Sequence, residues 1–398
     1  MNNVFKAVKV TDRVWWVGAV DWSIRDFHGY ATKRGTTYNA FLVRGEKTAL
    51  IDTVKKPFFD EMMSRIASVV DPTTIDIVVS NHAEMDHSGA LLETVAAIGP
   101  SPRVLASEQG VKALHAHFGA IPGLEAVRDG DRQELGGATL RFLETRMLHW
   151  PDSMFSLLEE DKLLFSQDGF GMHLASGERF ADELPAELLR EEAAKYYGNI
   201  LNPYSNLVLK LIEKVTAAGL TFDVIAPDHG PLWRKDPAWI VNLYALWAQQ
   251  KPTRKAVVVY DTMWGSTDRM ARALGDGLAA GGAVPKLMPL SGSHRSEVAT
   301  EILEAGALVV GSPTLNNQMF PTVADVLTYL KGLKRKNLVG ASFGSYGWSG
   351  KTVDQLNAAL REMGVDLVGD GIQVQYVPRP EDLEKCFELG RAVAARLA

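Results

Sequence analysis

A short run of potential metal ligands is the part of the sequence whose residue types and spacing point most directly to chemistry. The segment His82-Ala83-Glu84-Met85-Asp86-His87 places four side chains with ligand atoms within six residues. Imidazole and carboxylate groups bind divalent metals, and a loop of this kind suits two ions. The alternative reading of this segment alone is a polar loop that precedes a helix capped by Ser88.

Three later residues favour the metal hypothesis, because each follows a predicted strand and lies near glycine or proline, which fix tight turns. They are His149, Asp168 and His229. Four histidines and three carboxylates divide evenly between two metals, which would share Asp168: His82, Glu84 and His149 for one, and Asp86, His87 and His229 for the other. Such mixed ligands with vacant positions suit non-heme iron, whereas structural zinc usually closes a four-coordinate site.

Strands that alternate with helices must position these side chains. The segments 37–43 and 48–52 flank a turn and predict a hairpin. Later strands are predicted at 75–80, 139–143, 163–166 and 222–226, and each is followed by a candidate ligand. Strand ends share one edge in layered α/β folds, so we expect these distant residues to meet.

A polar stretch with a proline, residues 249–254, separates a predicted helix from the apolar strand 256–260. The pattern predicts two domains, 1–252 and 253–398. The continuous apolar run of 256–260 is typical of a parallel sheet covered on both faces.

Hydroxyl and glycine residues after the strand 256–260 indicate a phosphate site at a helix start, although an ordinary helix cap is the alternative. There is no G-x-G-x-x-G motif and no P-loop lysine, so a dinucleotide or a triphosphate fits poorly. Two more strand ends supply candidate binding residues, and Tyr346 or Trp348 could stack on a ring. The candidates are Thr262, Met263, Trp264, Gly265, Ser266, Thr267, Pro313, Thr314, Leu315, Asn316, Ser345, Tyr346, Gly347, Trp348 and Gly350.

The ligand spacing, followed by this second domain, resembles the flavodiiron proteins, also called A-type flavoproteins. The resemblance implies an α/β chain: a metallo-β-lactamase-like αββα sandwich, then a flavodoxin-like doubly wound parallel sheet with strand order 2-1-3-4-5. It also implies FMN and two irons per chain, bridged by Asp168 and an oxo or hydroxo ligand. In zinc hydrolases of the same superfold the position of Glu84 is normally histidine, so Glu84 favours iron.

The same resemblance implies an oxidoreductase that reduces O2 to water, NO to N2O, or both, in a head-to-tail homodimer or a dimer of dimers. Electrons are expected from a separate donor such as rubredoxin, although deazaflavin serves some members. His28 and Tyr197 are candidates for proton delivery or for holding a bound gas, and His173 is a weaker one. The alternatives are a dinuclear zinc metallohydrolase with a flavodoxin-like appendage and a non-catalytic FMN electron carrier. The preference between the gases, and the choice between His87 and water as a ligand, stay open.

Composition narrows the function classes. The 398 residues carry 42 Lys and Arg against 48 Asp and Glu, a net charge of −6, which argues against nucleic acid or anionic membranes as partners. The single cysteine, Cys386, excludes a rubredoxin-type iron site, so no fused rubredoxin is expected. With no export signal and no long apolar run, the expected location is cytoplasmic.

Overall fold

The computed structural model describes residues 4–99 and 102–397. Contacts along the chain divide it into two compact units. The first holds the residues up to Phe27, Thr32–Tyr196 and Asn206–Ala245, and the second holds His28–Ala31, Tyr197–Ser205 and the chain from Leu246 onward. The domains 1–252 and 253–398 remain a prediction. The predicted boundary lies a few residues after Leu246, where the chain enters the second unit for the last time.

Short strands dominate the N-terminal part of the chain, and helices are inserted between them. The strands are β1 (Val8–Lys9), β2 (Val14–Trp16), β3 (Ala19–Asp21), β4 (Asp26–Phe27), β5 (Tyr30–Ala31), β6 (Thr36–Tyr38), β7 (Phe41–Arg44), β8 (Thr48–Ile51), β9 (Ile75–Ser80), β10 (Arg103–Ser107), β11 (Leu124–Val127), β12 (Arg132–Glu134), β13 (Thr139–Glu144), β14 (Met154–Leu158), β15 (Leu163–Gln167) and β16 (Val224–Pro227). The α-helices are α1 (Phe59–Ala67), α2 (Met85–Ser88), α3 (Leu91–Ile98), α4 (Glu108–Phe118), α5 (Ala186–Tyr196), α6 (Ser205–Ala217) and α7 (Pro237–Ala248).

Two sheets pack face to face in the first unit. One has the order β1-β2-β7-β8-β9-β10-β11 and the other the order β12-β13-β14-β15-β16. Alternate residues of β7 explain the layering: Phe41 and Val43 join Leu140 and Phe165 in the core between the sheets. Leu42 points to the opposite face, into a second core shared with residues of α1, α3 and α4. The predicted sandwich of two sheets is present.

The second unit contains one sheet between helices, parallel except for the short strand β20, which pairs antiparallel with β19. Its strands are β17 (Lys255–Tyr260), β18 (Val284–Pro289), β19 (Ala307–Leu315), β20 (Gln318–Met319), β21 (Val339–Tyr346), β22 (Asp366–Leu367) and β23 (Ile372–Gln375). Its helices are α8 (Ser266–Ala280), α9 (Arg295–Ile302), α10 (Pro321–Leu333), α11 (Thr352–Glu362) and α12 (Pro380–Ala394). Parallel pairing gives the order β18-β17-β19-β21-β22, and β23 extends β22 along β21. This is the predicted order 2-1-3-4-5, with the fifth strand split in two, so the prediction is confirmed.

Strand ends place the candidate ligands. β9 ends at Ser80, just before His82, and β15 ends at Gln167, directly before Asp168. β16 ends at Pro227, just before His229. Among the described residues, no helix combines the length and the apolar character that crossing a membrane would need.

Candidate functional site

Four of the predicted ligands form one cluster in the first unit: one ligand atom from each of His82, Glu84, His149 and Asp168 lies within 4.8 Å of the others. Glu84 Oε2 is 3.3 Å from Nε2 of both His82 and His149. Asp168 Oδ2 is 2.9 Å from His149 Nε2 and 3.3 Å from His82 Nε2. Two imidazoles and two carboxylates therefore converge on one point.

The other three predicted ligands form a second cluster, in which ligand atoms of Asp86, His87 and His229 lie within 4.8 Å of one another. Asp86 Oδ2 is 3.1 Å from His229 Nε2, and Asp86 Oδ1 is 3.4 Å from His87 Nε2. Asp168 Oδ1 approaches these same two nitrogens, at 3.3 Å from His87 and 3.5 Å from His229.

Asp168 therefore serves both clusters, because its Oδ2 faces the first and its Oδ1 faces the second. Its backbone N–H donates to the side-chain oxygen of Gln167 at 2.7 Å, which fixes the turn after β15. The carboxylate is almost entirely buried. A carboxylate held in this way has the geometry of a ligand shared by two metals.

The donor atoms fit divalent metals. Asp86 Oδ1, His87 Nε2 and Asp168 Oδ1 are buried and lack hydrogen-bond partners among the described residues. A buried polar atom without a partner costs about 1–3 kcal/mol, so three such atoms converging on one point fit a bound cation. The ligand set contains imidazole and carboxylate without thiolate, and iron accepts such a set.

A separate cleft of about 830 Å³ opens in the second unit at the ends of the parallel strands. Most of the predicted cofactor residues line it: Met263, Trp264, Ser266, Pro313, Thr314, Leu315, Asn316, Ser345, Tyr346, Gly347 and Trp348. The sequence did not single out Tyr376 and Val377, which follow β23 and also line the cleft with Asn317 and Ser349. In the sequence, the signal for this part of the cleft was Tyr376, an aromatic residue directly after the fifth strand.

Four predicted cofactor residues, Thr262, Gly265, Thr267 and Gly350, do not line this cleft. Thr262 Oγ1 accepts the N–H of Gly265 at 3.0 Å, and the Thr267 hydroxyl lies 3.0 Å from that of Ser345. These contacts shape the loop before α8. The rim of the cleft is aromatic and open, since Trp264 and Trp348 are 94% and 89% exposed. Exposed indoles at such a cleft are available to stack on a planar ring.

Comparisons with known proteins agree with both halves of this architecture. The family model described as flavodoxin matches residues 258–390, and that described as ODP family beta lactamase matches residues 36–230. A nitric oxide reductase of Moorella thermoacetica is 47% identical over 98% of this chain and 99% of the relative. The solved rubredoxin oxygen:oxidoreductase of Desulfovibrio gigas is 43% identical, with a TM-score of 0.96 over 98% of each chain. The solved flavodiiron protein of Giardia intestinalis is 35% identical, with a TM-score of 0.95 over 98% of this chain and 96% of that one.

The chain belongs to the flavodiiron protein family. It is accordingly an oxidoreductase, and the cofactors of its family are FMN and a pair of irons. The two ligand clusters and the cleft are where this flavodiiron protein has side chains suited to them.

Contacts behind the ligands of this flavodiiron protein fix the orientation of its imidazoles. His82 Nδ1 is 2.9 Å from Asp152 Oδ2, which also accepts the N–H of Ala83 at 2.6 Å. His229 Nδ1–H donates to the carbonyl oxygen of Thr37 at 2.6 Å. Because a carbonyl only accepts, Nδ1 of His229 carries the proton and Nε2 offers its lone pair to a metal.

The imidazoles and the buried carboxylates of the two clusters shift one another's pKa values. Burial lowers the pKa of His82, but hydrogen bonds to Asp152 and Glu84 outweigh it and raise the pKa well above its usual value. For His87, burial is likewise outweighed by neighbouring carboxylates, which raise the pKa to about 10. Burial raises the pKa of Asp168, yet His87 and His149 outweigh it and hold it well below the usual range. The site thus keeps positive charge between its carboxylates.

Tyr196, which the sequence reasoning missed, lies beside the ligands. It ends α5 fully buried, with its ring 5.1 Å from that of His173 and 6.2 Å from that of His229. Burial, and next the charge of Asp168, raise the pKa of Tyr196 well above the usual value. Helical periodicity was the available signal, because Tyr196 shares the buried face of α5 with residues 189, 192 and 193.

The predicted residues His28 and Tyr197 belong to the second unit, whereas all seven predicted metal ligands belong to the first. The Tyr197 hydroxyl lies 3.1 Å from that of Ser205, and its ring packs 5.5 Å from that of Trp247. His173 is in the first unit, where its Nδ1 is 2.9 Å from the Thr36 hydroxyl.

Proposed function

We propose that this flavodiiron protein reduces O2 to water, NO to N2O, or both, at two irons held by the seven clustered ligands. The observation that carries the proposal is Asp168, whose two carboxylate oxygens face different clusters. When bound, two ferrous ions and reduced FMN supply 2 + 2 = 4 electrons; O2 needs four to become two waters, and two NO need two to become N2O and water.

The ligand residues fall into two sets, one for each metal position. His82, Glu84 and His149 would hold one iron, Asp86, His87 and His229 would hold the other, and Asp168 would be available to both. The side chains of His149 and Glu84 are 17% and 12% exposed, whereas those of His82 and His87 are fully buried. A small gas therefore enters on the side of His149 and Glu84, and the remaining ligands exclude water.

Proton supply falls to groups beside the ligands. Tyr196, in contact with Asp168, is our candidate for the hydroxyl that holds a proton near this carboxylate. His28 and Tyr197 stay predictions for proton delivery or for holding the gas. The residues that line the cleft would hold the FMN, and Trp348 or Tyr346 would stack on its ring.

A rubredoxin is the proposed electron donor, because the solved relative from Desulfovibrio gigas is named for one. A head-to-tail homodimer, alone or as a dimer of dimers, would bring the flavin of one chain near the irons of its partner. A monomeric preparation that keeps full turnover would contradict this assembly. The cytoplasmic location stays a prediction.

The zinc hydrolase and the electron carrier are the less favoured alternatives. Glu84 supplies an oxygen ligand 3.3 Å from two imidazole nitrogens, at a position where zinc hydrolases of this superfold normally have histidine. A carrier without catalysis has no need for a second complete ligand set.

The test is to load the protein with iron and FMN, reduce it anaerobically with rubredoxin, and supply each gas separately. We expect two irons and one FMN per chain and rapid consumption of at least one gas. Two bound zincs with esterase or nuclease activity would support the hydrolase instead. A fully loaded protein that consumes neither gas would contradict the proposal.

A further inference from the structure

The loop that carries His229 is fastened to the strand segment Thr37–Asn39 by a dense set of hydrogen bonds. Backbone N–H of Asn39 donates to the Asp228 carbonyl at 2.7 Å, and that of Gly230 donates to Thr37 Oγ1 at 2.7 Å. The bond from His229 Nδ1 to the Thr37 carbonyl lies between them. The loop is thus held along its whole length.

The Asn39 side chain provides the rest of this attachment. Its Nδ2 donates to the carbonyl oxygens of Pro227 at 2.7 Å and Gly230 at 2.9 Å, on either side of His229. Its Oδ1 accepts the indole N–H of Trp16 at 2.8 Å. An indole N–H only donates and a carbonyl only accepts, so the amide has a single possible orientation. Asn39 is fully buried and uses both hydrogens of its amide group.

The fastened loop carries one imidazole of a metal position and lies against the other. His229 offers its Nε2 as a ligand, and the neighbouring Asp228 places its Oδ2 3.4 Å from His87 Nδ1, behind that second imidazole. In the other cluster, His82 is oriented by Asp152, from a different loop. The two metal positions therefore have separate supports.

We propose that Asn39 is a positioning residue for one metal only, the one between Asp86, His87 and His229. Through the Pro227–Gly230 loop it holds His229 in place and keeps the Asp228 side chain beside His87. The inference rests on the proposed two-metal centre, and wild-type metal content tests that centre separately.

The test is N39D, which keeps the shape of the side chain but turns an oxygen toward the two loop carbonyls. The matched control is N357D in the second unit. There a buried asparagine likewise accepts a hydrogen bond, from Ser342 at 2.7 Å, and donates one to the Asp370 carbonyl at 2.8 Å. Metal-free wild type, N39D and N357D are titrated anaerobically with Fe2+ and with Co2+, whose absorption spectrum reports the ligands of each bound ion.

Wild type and N357D should bind two ions tightly per chain. N39D should bind one ion with wild-type affinity and the other about 10- to 100-fold more weakly, as is typical when a group behind a metal ligand is lost. The Co2+ spectrum of N39D should keep one component and lose the other. A general loss of stability would not lower the affinity of one binding step while leaving the affinity of the other unchanged.

Equal affinities in N39D and wild type, or equal weakening of both steps, would overturn the inference. If N39D does not accumulate as folded protein, W16F replaces it, since this variant removes the N–H that fixes the amide and keeps an aromatic ring, although a smaller one, in the buried position of Trp16. The weaker step should then be the same one, and an unchanged W16F would overturn the inference. A wild type that binds fewer than two ions would instead refute the proposed centre itself.

Discussion

Binding of two metal ions to the metal-free protein at about pH 6 should release about three protons per chain. Three ligand imidazoles have raised pKa values: His82 well above the usual value, His87 at about 10, and His149 above its usual value. All three are therefore protonated at this pH, and an imidazole must be neutral to bind a metal.

The carboxylate ligands contribute no protons, because the pKa values of Glu84, Asp86 and Asp168 are lowered and these groups are already ionised. Buried His173 has a pKa well below its usual value and is neutral with or without metal. While all three imidazoles are protonated, the overall metal-binding constant should rise by about three logarithmic units per pH unit. Metals should therefore bind more tightly at higher pH. The increase in the binding constant should level off once the pH exceeds the raised pKa values of the imidazoles.

Calorimetric titration with Co2+ in buffers of different ionisation enthalpy measures this release directly. The control is H115N, because His115 lies outside both ligand clusters, bound through Nδ1 to the Gly119 carbonyl. H115N should release as many protons as wild type. Release of less than about one proton per chain would refute the claim that the ligand imidazoles are protonated before the metals bind.

Three further substitutions test other parts of the account. D168N replaces one of the two carboxylate oxygens, which face different clusters, with an amide NH2, so iron analysis should find at most one tightly bound iron, and gas consumption should fall by at least about 100-fold; two irons with full activity would contradict this. R335M should lower the free energy of unfolding in urea by about 2–4 kcal/mol. The substitution leaves three backbone carbonyls without the buried guanidinium that donates to them at 2.8–3.0 Å. The control is R396M, at an exposed ion pair in which about 50% of the arginine side chain is accessible, and it should change the free energy of unfolding little. W348A should weaken FMN binding about 3- to 10-fold in a fluorescence titration, and W22A, an exposed tryptophan of the first unit, should leave it unchanged.

The sequence predicted the ligand clusters because most of the ligands lie shortly after a strand, and Asp86 and His87 follow in the short helix α2. His82, Asp168 and His229 show this. Their side chains are typical metal ligands, and they lie close together because the strands before them end at the same edge. For the second unit, the apolar run 256–260 predicted only a parallel sheet covered on both faces, and the resemblance to the flavodiiron proteins implied its strand order.

The supports of the ligands could not be predicted, because they depend on contacts between segments far apart in the chain. Asn39 meets Pro227 across 188 residues, and Asp152 meets His82 across 70. Nothing in the local sequence of Asn39 indicates this contact. The omission of Tyr196 has a different cause, since the phase of α5 decides that its ring is buried beside the ligands.

The most direct test of the central claim is anomalous diffraction at the iron edge from crystals of the iron-loaded protein. We predict two iron peaks per chain, one within bonding distance of Asp168 Oδ2 and the other of Asp168 Oδ1. A single peak, or two peaks of which only one touches Asp168, would contradict the claim that this carboxylate joins two irons.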